Sequence, residues 1–205
     1  LFSLLAGVFL LAGNAFSADE APDVLVKRVT EEVLTIVRTD KDIQSGNSKK
    51  AIELVETKVL PHFNFLRMTS LAVGKDWNKA SPEQKKRLAK EFETLLVRTY
   101  SNALTAYKSQ TIVYKPLKMQ PGDTDVLVRT EIRQPGQQAV QLDYGVEKQD
   151  NGAWKVYDVV VAGISLVTNY RETFAQEVRN GGIDGLITTL ADKNKQVDAK
   201  NEKKS

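Results

Sequence analysis

The sequence predicts an α+β fold in which helices surround an antiparallel β meander, and three observations carry that prediction. Apolar stripes at helical spacing recur from Pro22 to Tyr107, alternating runs separated by short turns fill Thr111 to Val161, and the period changes between Trp154 and Val178. That last stretch begins as a strand, Trp154 to Val161, in which Val159, Val160 and Val161 are apolar without alternation. Such a run implies a strand covered on both faces, inside a sheet and not at its rim. Ala162 and Gly163 break it. Val167, Tyr170, Phe174 and Val178 then return at three- and four-residue steps, the spacing of a helix that begins near Ile164 and packs back on the sheet.

Composition removes several classes of function. The chain has 205 residues, 29 basic against 26 acidic, a net charge of +3, one histidine and no cysteine. Interspersed charges do not describe a nucleic-acid groove. Thiol chemistry, disulfides and sulfur-ligated metals have no cysteine to use, and the single His62 excludes multi-histidine metal sites and most histidine relays. No catalytic residue, metal ligand or cofactor is assigned.

In chain order, residues 1–18 read as a secretory signal: an uninterrupted apolar run to Ala12, then small residues with a cleavage point near Ser17 or Ala18. The run is shorter than the helix of about 20 residues needed to cross a bilayer. Pro22 starts a helix with Val26, Val29, Val33 and Val37 on one face, and Asn47 or Ser48 caps a second one that ends at Leu60-Pro61. Phe65, Met68, Leu71 and Ala72 form a third stripe, with Arg67 on the other side and Gly74 as its stop. His62 reads as a surface or capping residue. Ser81-Pro82-Glu83-Gln84 is a capping-box start for a long helix to about Tyr107, placed as the platform under the sheet. The first strand is interrupted by Pro116, and turns at Gln134-Pro135-Gly136-Gln137 and Asp150-Asn151-Gly152 link alternating strands into a meander with one apolar face. Asp143 falls on its polar face. Gly181 or Gly182 ends the next helix, and a short one follows with Ile183, Leu186, Ile187 and Leu190 buried. The domain expected is 19–191, with 192–205 as a flexible basic tail.

An ordered set of residues resembles the MlaC family, also known as the toluene-tolerance Ttg2 auxiliary proteins. It comprises Val59-Leu60-Pro61, Phe65, Met68, Gly74, Trp77, the Ala80 to Gln84 helix start, Trp154 to Val159, Gly163 to Arg171, Phe174 and Gly182-Ile183. The likeness spans about Ala21 to Lys195. Asn64 departs from it, standing where the family carries an aspartate, at a position that reads as a helix cap. The resemblance implies a periplasmic, monomeric carrier of glycerophospholipid. Its partners would be an outer-membrane lipoprotein-porin complex and an inner-membrane ABC transporter bearing an MCE-domain ring, and its role the maintenance of outer-membrane lipid asymmetry.

The expected shape is an NTF2-like cone with a C-terminal helical addition and an internal apolar pocket. Converging apolar faces nominate Leu71, Phe92, Leu96, Tyr100, Val128, Val140, Leu142, Tyr144, Val160, Ile164, Val167 and Tyr170 as lipid-binding residues, with the hydroxyls of Tyr100, Tyr144 and Tyr170 at a wet mouth. Arg171 is read first as a salt-bridge partner of Asp158 and second as a phosphate contact. A bulkier residue at Gly163 is expected to disturb lipid loading more than folding. Two other readings stay open: an isomerase or dehydratase using Asp143 or Asp158 with a tyrosine, and a ligand-free periplasmic adaptor.

Overall fold

The computed structural model describes residues 20–202; the signal segment expected over residues 1–18 and the end of the tail, 203–205, lie outside the described residues. Helix α1 (Pro22–Thr39) opens with proline at its first turn, where the missing N–H is no loss. The Asp40 carboxylate accepts from the amides of Asp42 and Ile43 and so starts α2 (Lys41–Gln44). Asn47 caps α3 (Ser48–Leu54), which continues through a π turn, Val55–Val59, and a 3₁₀ turn, Leu60–His62. Asn64 caps α4 (Phe65–Val73), its Oδ1 accepting from the Arg67 amide. A 3₁₀ turn, Gly74–Lys79, leads to α5 (Pro82–Tyr100), where the Gln84 amide donates to Ser81 Oγ and the Ser81 amide donates to Gln84 Oε1. Both halves of the capping box are therefore made. This helix was expected to reach Tyr107. It breaks at Ser101, whose buried hydroxyl donates to the Val97 carbonyl at 2.6 Å, a back-bond that bends helices, and the chain resumes as α6 (Asn102–Thr105).

Five strands follow, β1 (Thr111–Tyr114), β2 (Asp125–Arg133), β3 (Val140–Lys148), β4 (Trp154–Val161) and β5 (Ile164–Ser165). They pair in sequence order and every pair is antiparallel. The α+β meander predicted from the alternation is thus the fold, with one strand more. β4 is flanked by β3 along its length but beyond it meets only short pieces. β5 pairs with Val160 and Val161, and Phe63 forms an isolated parallel bridge to Val156, where the Asn64 amide donates to the Val156 carbonyl at 2.8 Å. The strand next to the rim is covered in two halves, which is why it reads as interior.

The helix expected from Ile164 starts later. Residues 164 and 165 are strand, Thr168–Tyr170 is a 3₁₀ turn, and α7 (Arg171–Glu202) begins at Arg171. Ser165 Oγ accepts from the amides of Val167 and Thr168 and so turns the chain out of the sheet. Gly182, at φ 67°, kinks α7 where a helix end was expected. Beyond the kink the helix continues through the stretch read as a flexible tail. Asn194 Nδ2 donates to the Glu91 carbonyl and to Glu91 Oε2, and Arg98 pairs with Asp198 at 2.7 Å, so polar contacts with α5 replace the missing apolar ones.

Helix α5 is not the platform under the sheet. It packs between α4 and α7 in a helical core that includes Leu88, Phe92, Leu95, Phe174 and Leu186, where the Phe92 ring meets Tyr170 and Phe174 edge-on at 5.2 Å each. The helix on the sheet is α1, whose Leu25 and Val26 join Val126, Val128, Val146 and Val156 in a second core. Its far half leaves the sheet, and Val33 and Val37 pack with Ile43 and Leu54.

Register in β4 is set by a bulge. Val146 pairs with Val156 and Gly145 with Asp158, so Tyr157 is the extra residue. It stacks on the opposite face of the sheet over Gly145, where a Cβ would meet Tyr157 Cζ at 2.9 Å. Arg67 lies 3.7 Å from the centre of the Tyr157 ring and pairs with Asp125 at 2.5 Å and with Glu147; Tyr157 Oη donates to Asp125 at 2.7 Å, and Asn64 Nδ2 to Glu147 at 2.6 Å. Burial, together with the Asp125 hydrogen bond, pushes the Tyr157 hydroxyl up to about 12. This clamp fixes α4 to the sheet. Arg171, by contrast, does not reach Asp158: its Nε and Nη2 donate to the Leu71 carbonyl at 3.1 and 2.9 Å, which ties α7 to α4.

Two substitutions test these local arguments. Gly145→Ala drives a methyl into the Tyr157 ring, and we expect a loss of about 1–3 kcal/mol in denaturant unfolding. Ala162, at φ 50°, and Gly163, at φ 83°, form the two-residue link between β4 and β5 with both φ positive, as in a type I′ turn. Relieving the strain at the non-glycine position, Ala162→Gly should stabilise by about 0.5–1 kcal/mol in the same measurement. Space around Gly163 is open, so a bulkier residue there meets no clash, and its cost is the backbone strain of a side chain at φ 83°.

Candidate functional site

Following the register inward-facing residue by inward-facing residue shows how far α1 covers the sheet. Val126, Val146 and Val156 form one row and Val128, Tyr144 and Val159 the next, both in the core under α1. Burial pushes the Tyr144 hydroxyl up to about 12, with its hydrogen-bonding neighbours Thr30 and Thr130 acting in the other direction. Its hydroxyl is therefore in the core and not at a mouth. The third row, Tyr114, Thr130, Leu142, Val161 and Ile164, and the fourth, Ile112, Ile132 and Val140, continue the same face toward its open end. Here cover fails: Ile164 is 60% exposed and Val140 39%, while Ile112, Ile132, Leu142 and Val161 are half-buried. The result is a mostly apolar strip that reaches all five strands, interrupted on β2 by the buried Thr130, whose hydroxyl donates to the Leu142 carbonyl, and overlain on β1 by Lys27 of α1, 5.7 Å from the centre of the Tyr114 ring.

The strip runs into the helical core through one segment. From Ile164 the chain passes Leu166, whose amide donates to the Val159 carbonyl at 2.8 Å, to the fully buried Val167 and the half-buried Tyr170. Tyr100, at the end of α5, is 37% exposed and lies close enough to Tyr170 to raise its hydroxyl pKa further, burial being the larger cause. The site is thus a floor of aliphatic side chains with two tyrosines where it meets the helices. These side chains carry no carboxylate, imidazole or amine, and what they offer a ligand is removal of its apolar surface from water.

The twelve nominated residues divide accordingly. Val140, Leu142 and Ile164 lie in the strip, Tyr100 and Tyr170 beside it. Val128 and Tyr144 lie beneath α1, and Leu71, Phe92, Leu96 and Val167 in or against the helical core. Val160 is on the opposite face, paired with Asp143 and Ser165, because the Tyr157 bulge shifts the alternation by one. Ile112, Ile132 and Val161 belong to the strip and were not nominated; the alternation of Ile132 with its neighbours was the signal available for it.

Asp143 and Asp158 also face away from the strip. Asp143 is buried rather than on a polar surface: Oδ2 accepts from Gln141 at 2.7 Å and Oδ1 has no hydrogen-bond partner. Burial raises the Asp158 carboxyl above the usual range, against bonds from Ser165 and from the Val159 amide at 2.8 Å. Among the described residues no group of histidine, aspartate and glutamate is arranged to hold a metal ion. A cleft of about 300 Å³ lies elsewhere, between α3, α5 and the end of α7, with Lys49, Glu53, Arg98 and Asp198 in its wall. Those charges suit no apolar ligand.

Comparison with known proteins gives this geometry a family. The sequence model described as MlaC protein matches residues 27–192. The chain belongs to the MlaC family. Two relatives agree with that membership. The intermembrane phospholipid transport system binding protein MlaC of Haemophilus influenzae is 26% identical over 192 residues, covering 93% of this chain and 89% of that protein. The toluene tolerance protein ttg2D of Pseudomonas putida is 27% identical over 210 residues, covering 99% and 95%. A solved structure, the phospholipid-binding protein of Ralstonia solanacearum in complex with a phospholipid, is 39% identical, with a TM-score of 0.78 over 85% of this chain and 97% of that one.

Proposed function

We propose that this chain is a periplasmic phospholipid carrier that takes up the acyl chains of a glycerophospholipid against the apolar strip and leaves the headgroup in water. The observation that carries the reading is the strip itself, on a fold shared with a 39%-identical structure that holds a phospholipid. Burying acyl chains yields about 0.8 kcal/mol per methylene, or roughly 24 kcal/mol for two tails of about 15 methylenes relative to water. A bilayer offers the tails nearly the same environment. Binding is therefore close to neutral against the membrane, and net direction must come from what the carrier docks on. We assign those roles to an outer-membrane lipoprotein-porin complex and an inner-membrane ABC transporter with an MCE-domain ring, with outer-membrane lipid asymmetry as the outcome.

The enzyme reading has less support, because both candidate acids lie on the far face of the sheet from the apolar strip. A ligand-free adaptor would use Ile164 and Val140 against a protein partner, and the phospholipid held by the 39%-identical structure favours a lipid there instead.

Native mass spectrometry followed by organic extraction decides among the three: phospholipid at about one molecule per chain is expected, a small polar metabolite would point to the enzyme, and an empty protein to the adaptor. Val140→Asp and Ile164→Asp put a charge on half-exposed strip positions, and should lower the phospholipid recovered at least several-fold with little change in unfolding of the delipidated protein. Delipidated protein is expected to melt below the lipid-bound form, since a ligand that binds only the folded state stabilises it. Identical melting temperatures would count against the proposal.

A further inference from the structure

Where α1 leaves the sheet, the inner face carries a small group of hydroxyls among its aliphatic side chains. Tyr114 on β1 pairs with Thr130 on β2, and Tyr144 on β3 stands diagonally from Thr130 in the neighbouring row. Thr30 of α1 lies beside both tyrosines and acts on the ionisation of each. Thr130 Oγ is committed to the Leu142 carbonyl, to which it donates at 2.6 Å. Tyr114 Oη is committed to nothing: it is buried and has no hydrogen-bond partner, so Thr30 is near it without the geometry of a bond. Burial raises the Tyr114 pKa above the ordinary phenol value, and the group keeps its proton to donate. A buried donor left without an acceptor is costly.

We propose that Tyr114 Oη is the binding point for an ester carbonyl of the phospholipid held on the apolar strip, an assignment that rests on the carrier function proposed above. Polarity along this surface follows polarity along a lipid. Ile112, Ile132, Val140, Leu142 and Val161, in the row of Tyr114 or the one beyond it, offer apolar surface to acyl chains. Over the same ring stands Lys27 Nζ, 5.7 Å from its centre, and Lys27 and Glu31, 3.9 Å apart, are both more than half exposed to water. The hydroxyl thus lies between aliphatic side chains and a charged edge, as the ester linkage lies between the tails and the headgroup. β1 is the outermost strand on this side, which puts the hydroxyl at a margin of the strip. The donor is neutral, and so suits a neutral acceptor such as a carbonyl. An anionic phosphate would instead be drawn to Lys27 at the exposed edge. A glycerol hydroxyl brings a proton of its own that needs an acceptor, whereas a carbonyl needs only the donor that Tyr114 supplies.

Uptake from mixed vesicles reads this contact directly. The full purified chain is incubated with an excess of vesicles holding equal amounts of dioleoyl phosphatidylcholine and its diether analogue with oleyl chains, then re-isolated, and its lipid is extracted and counted by mass spectrometry. The two lipids share headgroup, chain length and double bonds and differ in the carbonyls. The parent should take up the ester lipid over the ether lipid by about three- to tenfold, the worth of one net hydrogen bond. Tyr114→Phe keeps the ring, removes only the hydroxyl, and should abolish that preference. The melting temperature of the delipidated variant should be unchanged or higher, because the lost hydroxyl bonded nothing in the protein. Uptake of both lipids without preference by the parent overturns the proposal and leaves the carrier reading standing. The same ester preference in Tyr114→Phe also overturns it, because a purely structural role for Tyr114 would alter uptake of both lipids together. Absence of both lipids from the parent removes the carrier reading, and the proposal with it.

Discussion

One extra residue in β4 sets the arrangement of everything on both sides of the sheet. Had the strand alternated regularly after Val156, Asp158 and Val160 would face α1, and Val159 and Val161 would face away. The bulge at Tyr157 reverses this, placing valines on the inward face and the carboxylate on the other. It also frees the Tyr157 ring to lie over Gly145, where Arg67 can reach it from α4 and join it to Asp125 and Glu147. An apolar inner face and a polar fastening on the outer face are two results of one insertion. Bulges re-aim side chains in this way at the cost of a locally disrupted ladder.

The inner face is longer than the helix that covers it. α1 lies on the sheet for the span of Leu25 to Thr30 and then turns its valines toward α2 and α3, so two rows are sealed and the other two are only partly covered. Apolar groups scattered singly on a surface need no explanation, but a mostly apolar strip that reaches five strands is surface that a folded protein leaves partly uncovered for a reason. In a carrier the reason is that the ligand completes the core. The aromatic group Phe92, Tyr170 and Phe174 closes the helical side without crossing onto the strip.

Much of the fold could be read from the sequence because its signals are local. The Ser81 to Gln84 box, the Asn64 cap, the turns around Gly136 and Gly152 and the kink at Gly182 each depend on residues within a few positions of one another. Contacts between distant residues could not be read. Neither the spacing of Arg67 nor that of Tyr157 announces that they meet, and nothing near Leu88 or Phe92 says whether α5 lies on the sheet or beside it. The bulge is invisible for a related reason: three consecutive valines satisfy either register, so nothing in them tells that Val160 faces away from the strip. The tail misled differently. Asp192 to Glu202 has almost no apolar residues, yet Asn194 and Asp198 find polar partners on α5 that composition does not reveal.

The order of the strands also bears on how the molecule is assembled. Each strand pairs with its neighbour in sequence, so the meander closes by short loops, and such local pairings form early at low entropic cost. The contact of α1 with β4 joins parts of the chain more than a hundred residues apart and so closes a long loop. Until that helix docks, all four rows of the inner face are bare, the two it finally seals among them. The nascent sheet is thus stickier toward acyl chains than the finished one, and the first lipid to meet it competes with α1 for the same surface.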